Sequence, residues 1–263
     1  MSGETMKNAE LLELYDLHER FEANYPRYRR EEAGKIVRMV SLEAEAHNVV
    51  IHSRLGAEDA DRAISGELEY FRELGSDFEW KLYLHDQPSD LKDRLAARGF
   101  SVGDDEAIMS IELESLGFTI AAASSIDVRK VTDEKGLKDF ADVNARVWSD
   151  KDDSWMKEVA ETLRGSPQRM SAWLAYVEGE PVCAARIDFP ERSPFASLWG
   201  GATVERHRGR GLYTAVLAAR AKEAIERGYR FLTIDAGPMS RPIVERLGFR
   251  LLAISNPCDS PKR

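Results

Sequence analysis

The same order of secondary structure is predicted twice along this chain of 263 residues. Each half contains a strand, a helix of about 16 residues, a second strand and a short helix with a similar ending. The second strands read FEWKLYL and FLTIDA, and the short helices end in RLAARGF and VERLGF. This order predicts a duplicated unit, with two domains of similar fold in succession.

A change in composition marks the boundary between the two predicted domains. Residues 114–126 read ESLGFTIAAASSI, a stretch of small residues without strong periodicity that is typical of a linker. We therefore expect a first domain over residues 1–115, a linker over 116–126 and a second domain over 127–263.

The composition indicates a globular chain with hydrophobic cores. Apolar residues make up 43% of the chain and the formal charge is −9, which disfavours non-specific binding to nucleic acids. No run of about 18 apolar residues occurs, and the charged N-terminus does not resemble a signal peptide. Cys183 and Cys258 lie outside any metal-binding or disulfide pattern. We expect a cytoplasmic protein with no membrane partner, no nucleic-acid partner and no metal.

Arginine and glycine alternate in the segment RGRGLYTAV at residues 208–216, between an apolar strand and a helix. Gly209 and Gly211 lack Cβ atoms, so the backbone can turn sharply and approach a ligand closely. The first amides of the helix have no intrahelical partner, and together with the helix dipole they form an anion site. Arg208 and Arg210 add positive charge. The segment therefore predicts a diphosphate site that needs no metal.

Two other interpretations of this segment are weaker. An ordinary strand-to-helix turn with solvated arginines would not need the apolar strand before it and the apolar helix after it. A dinucleotide-binding fold requires a third glycine in GxGxxG, and Thr214 stands at that position.

Residues of about 127–255 resemble the GNAT superfamily of acetyltransferases. The matching features are the strand WGGATV, the loop RGRGLY, the helix TAVLAARAKEAIERGY, the strand FLTIDA and the helix that ends in VERLGF. The resemblance implies a mixed α+β fold with two GNAT-like domains in tandem, each a mixed, mostly antiparallel central sheet flanked by helices.

The superfamily pattern Q/R-x-x-G-x-G/A fits this sequence in two registers. Arg206, Gly209 and Gly211 match it literally. Arg208, Gly211 and Tyr213 match it with one departure, because Tyr213 stands where the family has Gly or Ala. We prefer the second register, because it places the loop directly after the strand and starts the helix directly after Gly211.

The resemblance implies acetyl-CoA as the acyl donor and co-substrate. The pantetheine arm would pair like an added strand with the backbone near residues 202–204, at an opening between strands 195–204 and 231–236. The residues implied to bind the donor are Ala202, Thr203, Val204, Arg208, Gly209, Arg210, Gly211, Leu212, Tyr213 and Thr214.

The N-terminal half has LGAED at residues 55–59 where the C-terminal half has RGRGLY. We therefore expect a degenerate GNAT-like domain without the pyrophosphate loop. It would support the second domain and supply one wall of the acceptor site.

Acetyl transfer to an amine needs a base for the amine and usually an acid for the departing thiolate. The family often uses a Tyr in the helix before the GF as the acid, but Val244 stands there. Tyr213 is the nearest substitute by sequence. The candidate bases are Asp188, Glu205, His207 and Asp235.

These residues predict an N-acetyltransferase that acts on a primary amine of a small molecule or peptide, with a homodimer as a further expectation. One alternative is a CoA-binding pseudoenzyme without turnover, which the missing Tyr at position 244 favours slightly. A second is a transferase that uses another donor, such as a long-chain acyl-CoA or an aminoacyl-tRNA.

Overall fold

A computed structural model of the protein describes residues 6–25, 27–42, 47–116, 126–148 and 154–262. The chain forms two compact units, each built from more than one stretch of chain. The first unit contains Met1–Met109, Ala236–Pro242 and Leu251–Arg263, and the second contains Ser110–Asp235 and Ile243–Arg250.

This division differs from the predicted boundaries at residues 115 and 127, which assumed two continuous domains. The physical reason lies in the last strand, Arg250–Asp259. It pairs antiparallel with the strand Phe78–Tyr83, so the C-terminal residues belong to the first unit. Most of the predicted linker, residues 117–125, lies outside the described residues.

The first unit contains most of the helices and strands that were predicted for it. In chain order they are helix α1 (Asn8–Tyr15), which continues as a π-helix over Asp16–Phe21, strands β1 (Tyr28–Ala33), β2 (Ile36–Ser41) and β3 (Asn48–Ser53), helix α2 (Ala57–Leu74), strand β4 (Phe78–Tyr83), helix α3 (Leu91–Ala97), and strands β5 (Ser101–Val102) and β6 (Glu106–Glu112). A 3-10 turn follows at Leu113–Leu116.

The second unit begins at Ser110 and so includes the end of β6 and the 3-10 turn Leu113–Leu116. Its other elements are strand β7 (Asp127–Lys130), helices α4 (Glu134–Val147) and α5 (Ser154–Gly165), strands β8 (Met170–Val177), β9 (Glu180–Asp188) and β10 (Phe195–Thr203), a 3-10 turn (Glu205–His207), helix α6 (Leu212–Glu226), strand β11 (Phe231–Ala236) and helix α7 (Arg241–Arg246), after which comes β12 (Arg250–Asp259). None of the helices in the described part of the chain is long and apolar enough to cross a membrane.

The sheet of the first unit has the strand order β1-β2-β3-β4-β12-β6, and β5 pairs with β12. β3 and β4 are parallel, whereas β1 to β3 form antiparallel pairs. Apolar residues of α2 and α3 at helical spacing, such as Ile64, Phe71 and Leu95, pack with Val50 and Trp80 in one buried cluster. Gly99 follows α3 with a φ of +88°, which confirms the predicted left-handed helix end.

Strand β1 was not predicted, because its sequence YRREEA shows no alternation of apolar residues. Its position is set by pairing with β2, from Tyr28 opposite Ser41 to Ala33 opposite Ile36. Strand β12 runs to Asp259. The carbonyl oxygen of Pro257 accepts a hydrogen bond from the amide of Gly103 within the sheet of the first unit.

The sheet of the second unit has the order β11-β10-β9-β8-β7 and is antiparallel except for the pair β10 and β11. The predicted hairpin between β8 and β9 is present. Helix α6 packs on one face of this sheet, where Cys183 and Ala185 of β9 meet Val216. Helices α4 and α5 pack on the other face, where Ala184 of β9 meets Phe140. Alternate residues of β9 therefore face opposite helices.

Candidate functional site

Strands β10 and β11 pair over only three residues and then separate. The parallel register joins Phe195–Ser197 with Phe231–Thr233. Beyond this point β10 keeps its partner β9 on the other edge, with Ala202 opposite Ala184. A register shift lies between Trp199 and Ala202, where Gly200 has a φ of +59° that favours glycine. The second half of β10 therefore presents one backbone edge to a ligand.

The RGRG segment forms a tight turn between this strand and helix α6. Gly209 and Gly211 have φ angles of +72° and +76°, and Gly211 is the N-cap of the helix. The first intrahelical hydrogen bond runs from the amide of Ala215 to the carbonyl of Gly211. The amides of residues 212–214 therefore have no intrahelical acceptor. They form an anion site at the positive end of the helix dipole.

Three arginines surround this turn, and they differ in their contacts. The side chain of Arg206 forms an ion pair with Glu180, at 2.6 Å. Arg208 donates through Nε to the carbonyl of Thr203 at the end of β10. Arg210 contacts Nδ1 of His207 at 3.1 Å. Helix α6 begins at Leu212, directly after Gly211.

The two candidate bases at the entrance of the turn differ in their burial and contacts. His207 is buried, with Arg206 Nε at 3.0 Å from its Nε2 and Arg210 at its Nδ1. Both ring nitrogens are therefore engaged. Glu205 is exposed in the 3-10 turn.

The other two candidate bases lie on the same face of the sheet. Asp188 on β9 stands opposite Ser197 on β10, and Ser197 stands opposite Thr233 on β11. Directly paired residues point to the same face, and residues two apart along a strand do so as well. Asp235 therefore shares this face with Asp188. It is also the face of Ala184, which helices α4 and α5 cover.

Asp188 has the electrostatic surroundings of a base. Removal from solvent raises the pKa of Asp188, the charge of Glu158 adds to the rise, and Arg186 opposes it. Its Oδ1 atom is buried and has no hydrogen-bond partner among the described residues. A carboxylate that holds its proton more tightly than usual is a better acceptor of an ammonium proton.

Tyr213 is the hydroxyl-bearing residue at the start of helix α6, and its ring lies against Gly201 of β10. A Cβ atom built on Gly201 would lie 2.8 Å from Cε2 of Tyr213. Val244, at the position of the usual family acid, is fully buried and accepts hydrogen bonds through its carbonyl from the amides of Leu247 and Phe249. Helix α7 therefore brings no hydroxyl group to the site at that position.

Residues 139–249 match the family model described as "Acetyltransferase (GNAT) family". This stretch contains the separating strands, the RGRG turn and the helix with free amides described above. The match covers 111 of the 263 residues and lies almost wholly in the second unit, which is therefore similar to the GNAT family. A search of curated proteins finds no match.

Solved structures extend the GNAT fold to both units. A GCN5-related N-acetyltransferase from Kribbella flavida is similar at a TM-score of 0.73 and 16% identity, over 99% of this chain and 98% of that chain. A functionally unknown conserved protein from Staphylococcus epidermidis ATCC 12228 is similar at a TM-score of 0.70 and 14% identity, over 92% and 98%. A tandem GNAT protein from the clavulanic acid biosynthesis pathway gives a TM-score of 0.61 and 13% identity, over 92% and 86%. At these identities the likeness shows the tandem fold alone.

Sequence reasoning missed one residue of the GNAT domain, Arg220. It lies on helix α6 and is only 1% exposed. The available signal was an arginine within the apolar run AVLAARA. Trp199 was expected to line a core or a pocket, and it is 38% exposed next to the Arg186 guanidinium, 5.8 Å from the centre of its ring.

The described residues of the GNAT domain contain no cluster of metal-binding side chains, and their cysteine, Cys183, is buried. Among the described residues there is no group of three or more His, Cys, Asp or Glu side chains that could hold a metal ion. Cys183 is fully buried, and burial raises its pKa. A buried thiol with a raised pKa is a poor nucleophile.

The first unit lacks the features of this anion site. Its helix α2 begins after Gly56, whose φ of −93° is ordinary, and the first turn contains Glu58 and Asp59. Asp59 forms an ion pair with Lys35 at 2.5 Å. Carboxylates at a helix N-terminus repel a second anion, so this turn is unsuited to a pyrophosphate group.

The parallel strands β3 and β4 of the first unit also separate. A buried arginine of the same unit lies between their ends. The register of β3 and β4 ends with Val50 opposite Trp80. Arg20 then donates through Nε to the carbonyl of Ile51 and through Nη2 to both oxygens of Asp86, at 2.7 and 2.8 Å. A buried arginine therefore bridges the ends of the two strands, and it lines a pocket together with His52 and His85.

Proposed function

We propose that this protein is an acetyl-CoA-dependent N-acetyltransferase that acts on a primary amine of a small molecule or a peptide. The observation that carries the proposal is the junction of β10 and α6. Two glycines with positive φ and three helix amides without intrahelical acceptors follow directly after a strand with one open edge. When bound, acetyl-CoA supplies an activated acetyl thioester.

The chain's own residues at this junction fit such a donor. The amides of Leu212, Tyr213 and Thr214 would bind the pyrophosphate, with charge from Arg208 and Arg210. The backbone of residues 202–204 would pair with the pantetheine arm. Position 211 requires glycine, because its φ of +76° would strain any larger residue.

Asp188 is the base that the geometry supports best. The amine reaches a protein as an ammonium ion at neutral pH and must lose a proton before it can attack. Asp188 has a raised pKa and a buried oxygen without a hydrogen-bond partner among the described residues. Asp235 lies on the same face, where a second carboxylate would help to bind a cation. Glu205 and His207 receive less support from their surroundings.

Tyr213 is the acid that we assign, since position 244 provides none. Its ring lies against Gly201 of β10, beside the strand edge proposed for the donor. A phenol in this place would donate its proton to the departing sulfur and so avoid the release of a free thiolate.

Thermal unfolding with acetyl-CoA, CoA and NAD tests the donor site. A ligand at 100 times its dissociation constant stabilises by about 2.7 kcal/mol, so a bound CoA compound should raise the Tm clearly. We expect both CoA compounds to do so and NAD to have no effect. Gly211→Asp should abolish the rise, because it adds a negative charge at the anion site.

Gly228→Asp is the matched control. Gly228 lies just after the C-terminus of the same helix, with a φ of +84° and open space around it. This variant has the same backbone strain and the same new charge, but it leaves the RGRG turn intact. It should keep the CoA-dependent rise. An unchanged wild-type Tm with both CoA compounds would refute the proposed donor.

A CoA-binding protein without turnover is the second candidate. Two observations favour it: Val244 replaces the usual acid, and Tyr213 replaces the small residue of the motif. A panel of amines with acetyl-CoA separates the two functions, because only an enzyme releases free thiol in proportion to added amine. A homodimer, a cytoplasmic location and the absence of nucleic-acid and membrane partners stay predictions.

A further inference from the structure

Arg220 is a buried cation on the helix that carries Tyr213. It follows Tyr213 by seven residues, which places both side chains on one face of α6. Its Nη1 donates to the carbonyl of Arg186 on β9 at 2.9 Å. Arg186 pairs with Trp199, directly before the register shift of β10. Nη2 of Arg220 is buried and has no hydrogen-bond partner among the described residues.

No carboxylate balances this guanidinium. Burial lowers the pKa of Arg220, and the influences that oppose the shift come from Tyr213 and Cys183. An arginine nevertheless keeps its proton in proteins. Arg220 is therefore a fixed positive charge within the domain, and a buried charge without a partner is costly to maintain.

Among the described residues, no carboxylate on the surrounding elements forms an ion pair or a hydrogen bond with Arg220. Helix α6 packs against β7, β8, β9, β10 and the turn Leu113–Leu116. The titratable residues on these elements are Asp127, Arg129, Lys130, Tyr176, Glu180, Cys183, Arg186, Asp188 and Glu114. On α6 itself, Glu223 is bound to Lys130 and Arg227.

Tyr213 lies between this charge and the glycine pair of β10. The Arg220 Cζ atom is 5.9 Å from the centre of the Tyr213 ring. On its other side the ring leaves no room for a side chain at Gly201. The ring is thus held in place by Gly201, which has no side chain, and by a cation.

We propose that Arg220 is a positioning residue for Tyr213, which it holds against Gly201 and whose hydroxyl oxygen it stabilises once that group has given up its proton. This inference rests on the proposed acetyl transfer. Tyr213 gives its proton to the sulfur, which leaves with the electron pair of the broken carbon–sulfur bond. The amine nitrogen, which has already given its ammonium proton to Asp188, bonds to the acetyl carbon and releases its surplus proton to water.

A double-mutant cycle tests this role in the enzyme. Arg220→Met should lower kcat by about tenfold to a hundredfold, within the range of general acid catalysis. In the Tyr213→Phe background the same substitution should have less than about a threefold effect, because a positioning residue acts only through its target. Equal losses in both backgrounds would overturn the proposal.

Two further variants separate positioning from a general structural role. Arg220→Lys keeps the cation and should recover most of the lost kcat. A fall in kcat of Arg220→Lys as large as that of Arg220→Met would overturn a role for the charge. Arg220→Gln keeps a donor for the Arg186 carbonyl without a charge, and it replaces the Met variant if that variant does not fold. The Kd of CoA should change less than about threefold in all of them, since Arg220 does not line the RGRG turn.

A readout without turnover makes the two proposals distinguishable. In protein labelled with carbon-13 at the tyrosine ring carbon that bears the hydroxyl group, the Tyr213 signal is identified by its loss in Tyr213→Phe. Arg220→Met should move or split this signal, whereas the exposed Lys222→Met on the same helix should not. An unmoved signal would refute the inference. A moved signal without any acetyl transfer would refute the proposed function alone.

Discussion

Gly201 and Tyr213 occupy complementary places, since a Cβ atom on Gly201 would lie 2.8 Å from Cε2 of Tyr213. The GNAT pattern has Gly or Ala at the position of Tyr213. In this chain the large residue on the helix is therefore accommodated by the absence of a side chain on the strand. The two positions form one unit, and a change at one should depend on the residue at the other.

Gly201→Ala should destabilise the protein by about 1–3 kcal/mol, because the new methyl group and the ring cannot share the space. Tyr213→Ala in the same chain should remove most of this penalty. Urea unfolding of the single and double variants measures both effects. Gly165→Ala is the control, since nothing lies within 4 Å of a Cβ there. Equal losses of stability in Gly201→Ala and Gly165→Ala would contradict the packing argument.

Asp188→Asn should remove the acid limb of the pH profile of kcat/KM and lower its plateau by about a hundredfold or more. In the wild type, activity should fall as the medium becomes acidic, with a midpoint above the usual Asp value of 3.8, because the pKa of Asp188 is raised by its removal from solvent. The exposed Asp142→Asn should leave the profile unchanged. A profile that keeps its acid limb in Asp188→Asn would rule out this base.

The carboxyl group of Asp188 should also affect the stability of the fold. The ionised form is needed for catalysis, but the protonated form is the more stabilising one. A raised pKa in the folded state means that folding favours the protonated form, so the contribution of Asp188 to stability is lost as the pH rises through that pKa. Asp188→Asn should therefore raise the Tm at pH near 7 and have little effect near pH 3. Calorimetry at both values checks the sign.

The contribution of Glu223 to stability should depend on pH in the opposite direction to that of Asp188. Burial would raise its pKa, but hydrogen bonds from Lys130, Ser171, Arg227 and Trp173 outweigh burial and lower it. The stabilisation is therefore present above the unfolded pKa and is lost as the pH falls through the folded pKa. Glu223→Gln should cost about 1–3 kcal/mol at neutral pH. The difference from wild type in urea unfolding should shrink in acid, and a constant difference would refute the ionic role.

Arg20 should be a main determinant of stability in the first unit. Its side chain and that of Asp86 are only 1% and 3% exposed. Arg20→Met leaves the carboxylate buried and unpaired, which typically costs about 3–5 kcal/mol. Arg20→Met with Asp86→Leu should recover part of this loss. Denaturant titration compares the single and double variants with Arg62→Met. The ion pair of Arg62 with Asp59 is exposed and should not contribute measurably to stability.

The sequence alone determined the tandem order of elements and the position of the anion-binding turn. Both depend on local physics: apolar residues at the period of a strand or a helix, and glycines where φ must be positive. The start of α6 at Leu212 and the left-handed Gly99 could be predicted for this reason. The charged strand β1 could not, because only its pairing with β2 makes it a strand.

The tertiary structure alone decided which residues share a site. Asp188 and Asp235 are 47 positions apart in the chain, 235 − 188, and only the registers of β9, β10 and β11 place them on one face. The tertiary structure also decided two further features. They are the assignment of β12 to the first unit and the burial of Arg220 behind Tyr213. Long-range pairing and burial arise from contacts between distant segments, and local propensity carries no information about which segments meet.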